Sequence, residues 1–379
     1  DYLSGGCTVN DLHYSRSMCF LVPKDTVISE EHVDLPSFES ILKDKCLFAK
    51  AFKQQSDEQD PFYGKLVCQV MGNKKVVQNP PTYPLTTEEM DEVYDLPYQR
   101  RPHPSYDKLG GVPAIEEVQF SLVSQRGCFG SCAFCAIHAH QGRIIQARSH
   151  ESLIREAKII SKMPGFKGYI HDVGGPTANF RHPSCKKQLK FGACKDRQCL
   201  FPKPCPNLDA DHSDYINLLK ELRALPGIKK VFIRSGIRYD YLLADKKQDF
   251  LTELCQYHVS GQLKIAPEHI VPEVLHYMGK PGKEVYMKFI RAFDAKNKWL
   301  GKNQYVVPYF ISSHPGCTLE DAVELAEFLR DIGHNPEQVQ DFIPTPGSEA
   351  TAMYYSGIDP RNGKKVFVTQ NPHQKAMQR

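Results

Sequence analysis

Hydrophobic and polar positions along the chain follow two different patterns, and the first covers about a quarter of the sequence. Between residues 62 and 78, two short apolar runs flank Gly72-Asn73, a pair typical of the turn of a β-hairpin. Residues 79–104 then carry six prolines, which remove hydrogen bonds that a strand or a helix needs. Within this extended segment, Thr86-Thr-Glu-Glu89 predicts a short helix that begins with a capping box.

From about residue 111 onward, short apolar runs alternate with segments whose apolar residues recur every three to four positions. The runs predict strands and the segments predict amphipathic helices. Strands are expected at residues 118–123, 168–173, 230–235, 262–266, 305–311 and 339–343. Because each helix returns the chain for another strand in the same direction, the sheet should be parallel. Six units are too few for a closed eight-stranded barrel, so we predict an α/β fold with a partial (βα)6 barrel.

Composition and cysteine content limit the class of protein. Hydrophobic residues make up 41% and charged residues 24%, as in a soluble globular protein, and no apolar run reaches the length of a membrane span. The net charge of +4 permits a nucleic-acid partner without indicating one. Seven of the thirteen cysteines lie between positions 128 and 205, and no signal segment follows Asp1. We therefore expect part of a longer cytoplasmic protein whose thiols bind metal.

Three cysteines follow the first predicted strand within eight residues. They are Cys128, Cys132 and Cys135. Such closely spaced thiolates must converge in a loop, for which Gly127 and Gly130 supply backbone freedom. Three thiolates complete neither a Cys₄ cluster nor a Cys₄ zinc site, so a 4Fe-4S cluster would keep one iron open. The alternative is a Cys₃His zinc site that uses His138 or His140.

The spacing C-x₃-C-x₂-C, with the aromatic Phe134 before the last cysteine, resembles the signature of radical S-adenosylmethionine (SAM) enzymes. In those enzymes the open iron is chelated by the amino and carboxylate groups of SAM. One electron then cleaves the sulfonium and yields a 5′-deoxyadenosyl radical. The resemblance implies a 4Fe-4S cluster, SAM, an unidentified substrate, and a reductant of the flavodoxin or ferredoxin type.

Longer motifs resemble the YgiQ family (UPF0313-type) of radical SAM proteins. They lie at residues 96–106, 135–143, 172–179, 233–240, 265–269, 314–318 and 343–348. The resemblance implies an N-terminal region, a radical SAM core and a C-terminal extension, with the start of the first and most of the last missing from this chain. The order of motifs is also similar to that of methylthiotransferases, so modification of tRNA or protein is an alternative function. A non-catalytic, zinc-stapled binding module is the other.

The expected domains follow from these patterns. They are residues 1–78 (the end of a Rossmann-like N-terminal region), 79–110 (a proline-rich linker), 111–345 (the radical SAM core, with a cysteine-rich insertion at 180–210) and 346–379 (the start of the extension). Asp1-Tyr-Leu-Ser-Gly-Gly6 resembles the last strand and turn of a cobalamin-type Rossmann domain. Cobalamin dependence therefore stays open, because the residues that would bind cobalamin would precede Asp1.

Two glycines at the end of the second strand are candidate SAM contacts. Gly174 and Gly175 match the position where radical SAM proteins offer backbone carbonyls to the methionyl amino group, and glycine permits that close approach. A plain tight turn is the alternative. The complete candidate set for cofactor binding is Phe134, Asp172, Gly174, Gly175, Thr177, Ser235, Arg238 and Glu268.

Polar residues at the ends of the third and fourth strands complete the predicted pocket. Ser235 and Arg238 could hold the ribose hydroxyls and the methionyl carboxylate, the latter by a charge-assisted pair. The alternative for Arg238 is a surface salt bridge with Asp240. Glu268 could face the adenosyl group, or it could cap the helix expected near Pro272.

Further cysteines lie outside the loop. Cys317, after the fifth strand, is a candidate for a substrate-facing or radical-quenching thiol, although lone cysteines are commonly inert and buried. The insertion carries Cys185, Cys194, Cys199 and Cys205. These four thiolates suffice for zinc or for a second iron–sulfur cluster, and we favour the cluster. The lysines around them suit an anionic partner or a solvated face.

Overall fold

The computed structural model describes residues 5–336 and 339–379. Its strands are β1 Cys19–Pro23, β2 His32–Leu35, β3 Leu66–Met71, β4 Lys74–Gln78, β5 Ser121–Val123, β6 Gln125–Arg126, β7 Gln146–Ala147, β8 Tyr169–Ile170, β9 Asp172–Gly174, β10 Lys230–Val231, β11 Gln262–Glu268, β12 Tyr305–Ser312 and β13 Gln340–Asp341. Residues 1–4 of the segment that resembles a cobalamin-binding domain lie outside the described residues.

The helices complete the element order. The α-helices are α1 Val9–Leu12, α2 Phe38–Lys43, α3 Lys45–Asp57, α4 Thr87–Tyr94, α5 Ile115–Val118, α6 Ile137–Gln141, α7 His150–Ile160, α8 Gln188–Phe191, α9 Ser213–Arg223, α10 Tyr239–Ala244, α11 Asp249–Glu253, α12 Pro272–Met278, α13 Lys283–Leu300, α14 Leu319–Asp331, α15 Glu349–Ser356 and α16 Pro372–Gln378. A 3₁₀ helix covers Pro104–Leu109, and a π-helical turn covers Leu254–His258.

The N-terminal region is a four-stranded sheet with the order β1-β4-β3-β2. The predicted hairpin is confirmed, because β3 and β4 pair antiparallel up to Met71 and Lys74. Gly72 in the turn adopts a φ of 59°, which favours glycine. Strand β2 pairs parallel with β3, and the helices α2 and α3 connect them. This crossover is the α/β arrangement expected for the region.

The proline-rich segment is attached to the core. Helix α4 begins at the predicted capping box, in which the Thr86 hydroxyl accepts from the Glu89 amide (3.2 Å) and the Thr86 amide donates to the Glu89 carboxylate (2.8 Å). Asp91 of α4 accepts a hydrogen bond of 3.0 Å from the amide of Ser149, the N-cap of α7. The segment is therefore fixed against the first helix of the barrel.

All six predicted barrel strands are present as parallel segments. β5 pairs with β9, β8 with β10, β11 with β12, and β12 with β13. β8 and β9 are two parts of the predicted second strand, interrupted at His171. Each of these pairs joins strands that follow one another in the predicted order, whereas β10 and β11 are not paired directly among the described residues. Parallel pairing in this order is that of a partial (βα)6 barrel. The predicted α/β fold is confirmed.

Three of the six strands are shorter than predicted. The third covers only Lys230–Val231, although residues 230–235 were expected. The first begins at Ser121 rather than at Val118, because Ile115–Val118 forms the helix α5, whose acidic first turn suits a helix N-terminus. The sixth consists of Gln340 and Asp341, and Ile343 at its predicted end is 64% exposed. Ile343 has no core to pack against, so apolar character alone did not extend the strand.

The main core lies between the barrel strands and the helices outside them. Strand residues such as Leu122 and Val173 pack with Leu153 of α7, Leu219 of α9 and Phe289 of α13, all of them fully buried. Burying one such side chain contributes about 1.5–3 kcal/mol. This packing holds the carboxyl ends of the strands in place, and the loops that follow them carry the candidate site.

The insertion between β9 and α9 has little apolar content, as predicted. A second, small core contains Phe129, Ile145, Phe180, Leu200 and Tyr241, and only Phe180 and Leu200 come from the insertion. The insertion is thus held by residues of the cysteine loop. Within residues 5–336 and 339–379, no helix combines the length and the apolar character needed to span a bilayer.

Candidate active site

The cysteine loop is closed at its base by a two-stranded ribbon. β6 pairs antiparallel with β7, and the amide of Cys128 donates to the carbonyl of Gly142 (3.0 Å). Gly127 adopts a φ of 85°, and a Cβ there would overlap the carbonyl oxygen of Ile144. Gly130 has a different role, because a Cβ there would lie 2.6 Å from Nη1 of Arg238. Only Gly127 thus supplies the predicted backbone freedom, whereas Gly130 permits close packing.

The three thiols of the loop are shielded from solvent to different degrees. Burial raises the pKa of Cys135 to about 11 and also raises the pKa of Cys128. The side chain of Thr177, a predicted SAM contact, lies close enough to Cys128 to oppose slightly the rise in the pKa of that thiol. Thiols with raised pKa values coordinate metal only after losing their protons, so metal binding here must release protons.

A buried cation approaches the loop from the third strand. Nη1 of Arg238 lies 3.5 Å from Sγ of Cys132. The remaining nitrogens of the guanidinium bind Asp240, with Nε–Oδ1 and Nη2–Oδ2 distances of 2.8 and 2.6 Å. Both side chains are buried, so the predicted alternative of a salt bridge with Asp240 exists, although not at the surface. The positive charge offsets part of the negative charge that the thiolates bring together.

The paired glycines lie at a crowded point between three strands. A Cβ on Gly174 would overlap Oγ of Ser235, and one on Gly175 would lie 2.7 Å from the carbonyl oxygen of Gln125. The carbonyl of Gly174 accepts hydrogen bonds from the amide (2.7 Å) and the hydroxyl (3.2 Å) of Ser124. Glycine is therefore required here for packing. A role of these carbonyls in binding the methionyl amino group stays a prediction.

Asp172 and Ser235 form one unit at the ends of the second and third strands. The carboxylate of Asp172 accepts from the amides of Arg234 (2.8 Å) and Ser235 (3.0 Å) and also from the Ser235 hydroxyl. This places two predicted SAM contacts side by side. The carboxylate holds the loop after β10 in position, and Ser235 is the residue that Gly174 approaches.

Glu268 ends β11 with its side chain buried and a φ of 69°. The register with β12 shifts between Ile265 and Glu268, a β-bulge that re-aims the last side chain. Burial raises the pKa of Glu268, while Lys280, with Nζ 3.9 Å from Oε1, opposes that rise. The proposed capping of α12 is wrong, because Val271 is its N-cap and no side chain caps it.

Cys317 lies beneath the loop after β12. Its Sγ is 3.7 Å from Nε2 of His269, and burial raises its pKa to about 12, so the thiol keeps its proton. Phe134 of the cysteine loop packs edge-to-face on His314, with ring centroids 6.0 Å apart. Phe134, a predicted SAM contact, therefore contacts the loop that follows β12. A radical-quenching role for Cys317 stays a prediction.

Sequence reasoning missed several polar groups at the carboxyl ends of the strands. Lys280 is 3% exposed and lies beside Glu268. Ser313 Oγ, His314 Nε2 and Tyr239 Oη are buried without a hydrogen-bond partner among the described residues. Such groups are rare in folded proteins and commonly mark functional sites. For Ser313, His314 and Tyr239, the position shortly after a predicted strand was the signal that could have identified them. Lys280 follows α12, and only packing shows that it is buried.

The insertion brings its four cysteines into one region. Cys205 donates its amide to the carbonyl of Cys199 (2.9 Å), and the thiol of Cys199 is close enough to Cys185 and Cys194 for their charges to raise its pKa, after the larger effect of burial. Ser184 Oγ lies 3.2 Å from Cys199 Sγ. The thiols of Cys185, Cys194 and Cys199 are thus close together, and a shared metal site for all four cysteines stays a prediction.

The two cysteine groups are joined. Nε2 of Gln198 donates to the carbonyl of Ser131 (3.1 Å), which links the insertion to the cysteine loop. Cys128 and Cys199 both pack against the small core that contains the stacked rings of Phe129 and Phe180, 3.7 Å apart. The two groups are therefore connected by a hydrogen bond and by shared packing.

A polar cavity of about 310 Å³ lies where the loop meets the insertion. Ser131, His138, Arg143, Gln198 and Glu349 are among its lining residues. None of the predicted SAM contacts lines it, so this cavity is distinct from the predicted SAM pocket. Burial lowers the pKa of His138 to about 4, so its ring is neutral at pH 7.

The spacing of the thiols separates two kinds of metal site. Tetrahedral zinc with Zn–S bonds of about 2.3 Å holds its sulfur ligands about 3.8 Å apart. Among the described residues, His32, Asp34 and Cys68 form the group whose ligand atoms all lie within 4.8 Å of one another. Neither predicted cysteine group, with or without His138 or His140, is that compact. An iron–sulfur cluster separates its thiolates further, and the three loop thiols fit a cluster with one open iron. The choice between zinc and a second cluster at the insertion stays a prediction.

Comparisons with known proteins agree with this geometry. The family described as "Radical SAM superfamily" matches residues 122–329, more than half of the chain. The chain belongs to the radical SAM superfamily. The families "Radical SAM N-terminal" and "Domain of unknown function (DUF3362)" match residues 1–121 and 337–379. Membership supports an enzyme of this class, with a 4Fe-4S cluster and SAM as cofactors.

Individual relatives confirm the resemblance to the YgiQ family. The chain is 54% identical over its full length to a UPF0313 protein of Clostridium perfringens strain 13, and 54% identical over 94% of its length to one of Clostridium botulinum strain Okra. It covers 57% and 56% of those proteins. The chain thus spans little more than half the length of these radical SAM relatives. The domain boundaries, the cytoplasmic location and cobalamin dependence stay predictions.

Solved structures of radical SAM proteins show weaker similarity. The methyltransferase TsrM from Kitasatospora setae, with cobalamin and a [4Fe-4S] cluster bound, is 14% identical, with a TM-score of 0.38 over 61% of this chain and 38% of TsrM. The cobalamin-dependent enzyme OxsB is 17% identical, with a TM-score of 0.42 over 79% of this chain and 37% of OxsB.

Proposed function

We propose that this radical SAM protein cleaves SAM reductively and uses the resulting 5′-deoxyadenosyl radical to abstract hydrogen from an unidentified substrate. Cys128, Cys132 and Cys135 would hold the cluster, which supplies an open iron for SAM and the electron for the cleavage. The observation that carries the proposal is the three-thiol loop, which is closed on the carboxyl end of the barrel and met there by Arg238.

Residues at the strand ends are proposed to bind and orient SAM. Asp172 and Ser235 present a carboxylate and a hydroxyl that suit ribose hydroxyls. Lys280 is a buried cation whose Nζ lies 3.9 Å from Oε1 of Glu268, too far for a hydrogen bond, so it suits the methionyl carboxylate. Arg238 was the predicted partner of that carboxylate, but Asp240 occupies most of its guanidinium. Arg238 is better suited to stabilising charge at the loop.

We also propose a second iron–sulfur cluster at Cys185, Cys194, Cys199 and Cys205. Four thiolates are a complete ligand set for a cluster or for zinc, and we favour the cluster. The hydrogen bond between Gln198 and Ser131 and the shared apolar core support a position close to the cysteine loop. Proximity of this kind suits electron transfer between centres.

Anaerobic reconstitution tests both assignments. Serine at the three loop cysteines should abolish 5′-deoxyadenosine formation with dithionite and SAM, and should remove about four irons per chain. Serine at the four insertion cysteines should remove a separate set of irons. A matched control with serine at Cys7, Cys19 and Cys46, which lie outside both groups, should retain iron and cleavage.

The alternatives give different results. Zinc without iron in the purified chain, and no 5′-deoxyadenosine on reduction, would support a zinc-stapled module instead. Retention of iron and SAM cleavage after replacement of all three loop cysteines would exclude the proposed cluster site. Iron at the loop together with zinc at the insertion would leave the radical chemistry intact and exclude the second cluster.

A further inference from the structure

The outer surface of the insertion combines exposed apolar side chains with positive charge. Leu189 and Phe191, both in α8, are 61% and 64% exposed. Exposed lysines lie around them in the sequence, and together these residues define the insertion patch: Lys186, Lys187, Leu189, Lys190, Phe191 and Lys203. Exposed apolar residues rimmed by charge are a common feature of protein interaction sites.

The charge of the patch is out of proportion to that of the chain. Residues 185–205 contain six basic residues and one acidic residue, a surplus of five, whereas the whole chain carries +4. Lys195 is paired with Glu58 at 3.3 Å. Among the ion pairs of residues 5–336 and 339–379, none involves Lys186, Lys187, Lys190 or Lys203. Lysines without a carboxylate partner attract an anionic partner and speed its association.

The patch directly adjoins the second cysteine group. Nζ of Lys187 lies 3.7 Å from Sγ of Cys194. From there, Arg143 donates to the carbonyls of Cys194 (2.8 Å) and Arg197 (3.1 Å), and Gln198 bonds to the cysteine loop at Ser131. A protein bound at the patch would therefore lie next to one group of thiols and close to the other.

We propose that the insertion patch is the docking surface for an acidic one-electron carrier protein of the ferredoxin or flavodoxin class. The inference rests on the proposed function, since reductive cleavage of SAM requires one electron. That electron leaves the reduced carrier, which is oxidised, and reduces the cluster held by Cys128, Cys132 and Cys135. No atom or proton is transferred in this step.

The occupant is argued from the chemistry of the patch. Transient electron-transfer complexes use small interfaces steered by charge, and a few exposed apolar residues suffice at their centre. RNA would also be attracted by the lysines, but binding of single strands relies on a series of aromatic residues for stacking. The patch offers one aromatic residue, Phe191, and its position beside redox-active thiols favours the carrier.

Kinetics with two reductants test the proposal. The rate of 5′-deoxyadenosine formation is measured against the concentration of a reduced acidic ferredoxin, and separately with dithionite. In Lys190→Glu/Lys203→Glu the KM for ferredoxin should rise about tenfold or more, with kcat and the dithionite rate unchanged. The control Lys162→Glu/Lys167→Glu changes the charge equally in the loop after α7 and should behave as the unmodified chain.

A binding measurement adds a readout that does not depend on turnover. Calorimetry with ferredoxin and the SAM-free holoenzyme should show an affinity that falls as salt rises, and falls less steeply in the charge-reversed variant. Leu189→Ser/Phe191→Ser should weaken binding without altering its salt dependence. Iron content and melting temperature identify any variant that fails to fold.

The results that overturn the proposal are distinct from those that overturn the function. A KM for ferredoxin within about twofold of the control in the charge-reversed variant would exclude this docking surface. Loss of RNA binding with ferredoxin binding intact would assign the patch to nucleic acid. Absence of SAM cleavage with dithionite would instead contradict the proposed function, while the ferredoxin affinities would still test the surface.

Discussion

Nη1 of Arg238 lies 3.5 Å from the sulfur atom of Cys132, while Asp240 holds the other nitrogens of the same guanidinium. The cation beside the loop is therefore fixed in place by a buried acid. Reduction of a cluster adds negative charge, so a fixed positive charge nearby stabilises the reduced state. The pair thus connects the end of the third strand to the redox behaviour of the loop.

Removing one member of this pair should cost more than removing both. Arg238→Met leaves the buried Asp240 without a partner and should lower the free energy of unfolding by about 3–5 kcal/mol. Arg238→Met/Asp240→Leu should recover most of that loss, because neither charge remains. Anaerobic denaturation of the iron-loaded chains measures both. If both variants lose the same free energy of unfolding, the unpaired charge of Asp240 is not the cause of the destabilisation.

Gly130→Ala should impair the cysteine loop. The new Cβ would lie 2.6 Å from Nη1 of Arg238 and 3.3 Å from Sγ of Cys128, so the guanidinium or the loop must move. We expect lower iron retention after desalting, measured as iron per chain. Gly236→Ala is the matched control, because nothing lies within 4 Å of the Cβ it would add. Similar iron retention in both variants would contradict the packing argument.

Lys280→Met should weaken SAM binding without loss of iron. Lys280 is buried, and its Nζ lies 3.9 Å from Oε1 of Glu268, which is too far for a hydrogen bond. The ammonium group can therefore donate hydrogen bonds to a bound carboxylate. The dissociation constant for SAM, measured by calorimetry on the unreduced holoenzyme, should rise about tenfold or more. Lys288→Met on the exposed face of α13 serves as the control. An unchanged dissociation constant would remove Lys280 from the SAM site.

His150 should make stability depend on pH. Its ring bonds Asp214 (Nε2–Oδ1, 3.0 Å) and Glu221 (Nδ1–Oε1, 3.3 Å), linking α7 to α9. The hydrogen bond to Asp214 is the main cause of a raised pKa of His150, against the opposing effect of burial. The stabilisation is therefore complete below about pH 6.5 and is lost as the pH rises through the folded-state pKa.

The melting temperature measures this effect. It should fall between about pH 6.5 and pH 8.5 in the unmodified chain and fall less in His150→Gln. Any effect of pH on the cluster changes the melting temperature of both chains equally. The difference between their melting temperatures therefore reports the contribution of His150. Parallel pH profiles of the two chains would refute the assignment.

Motifs that depend on neighbours along the chain were predictable. The hairpin at Gly72, the cap at Thr86 and the grouping of Cys128, Cys132 and Cys135 all arise within a few residues of each other, and the structure contains each of them. Ile343 and Val118 were misplaced because strand length depends on what packs against the apolar side chains. Lys280 was missed for the same reason, since only packing shows that this lysine is buried.

The order of strands, the class of cofactor and the family follow from sequence alone. Hydrophobic periodicity and ligand spacing are local properties, so they can be observed directly in the sequence. Tertiary structure decided which groups meet: Arg238 with Cys132 and Asp240, Gln198 with Ser131, and Lys187 with Cys194. Arg238 and Cys132 are separated by 106 positions and Gln198 and Ser131 by 67, whereas Arg238–Asp240 and Lys187–Cys194 are close along the chain. Contacts across such distances depend on how the barrel brings its loops to one end, and no local pattern records that.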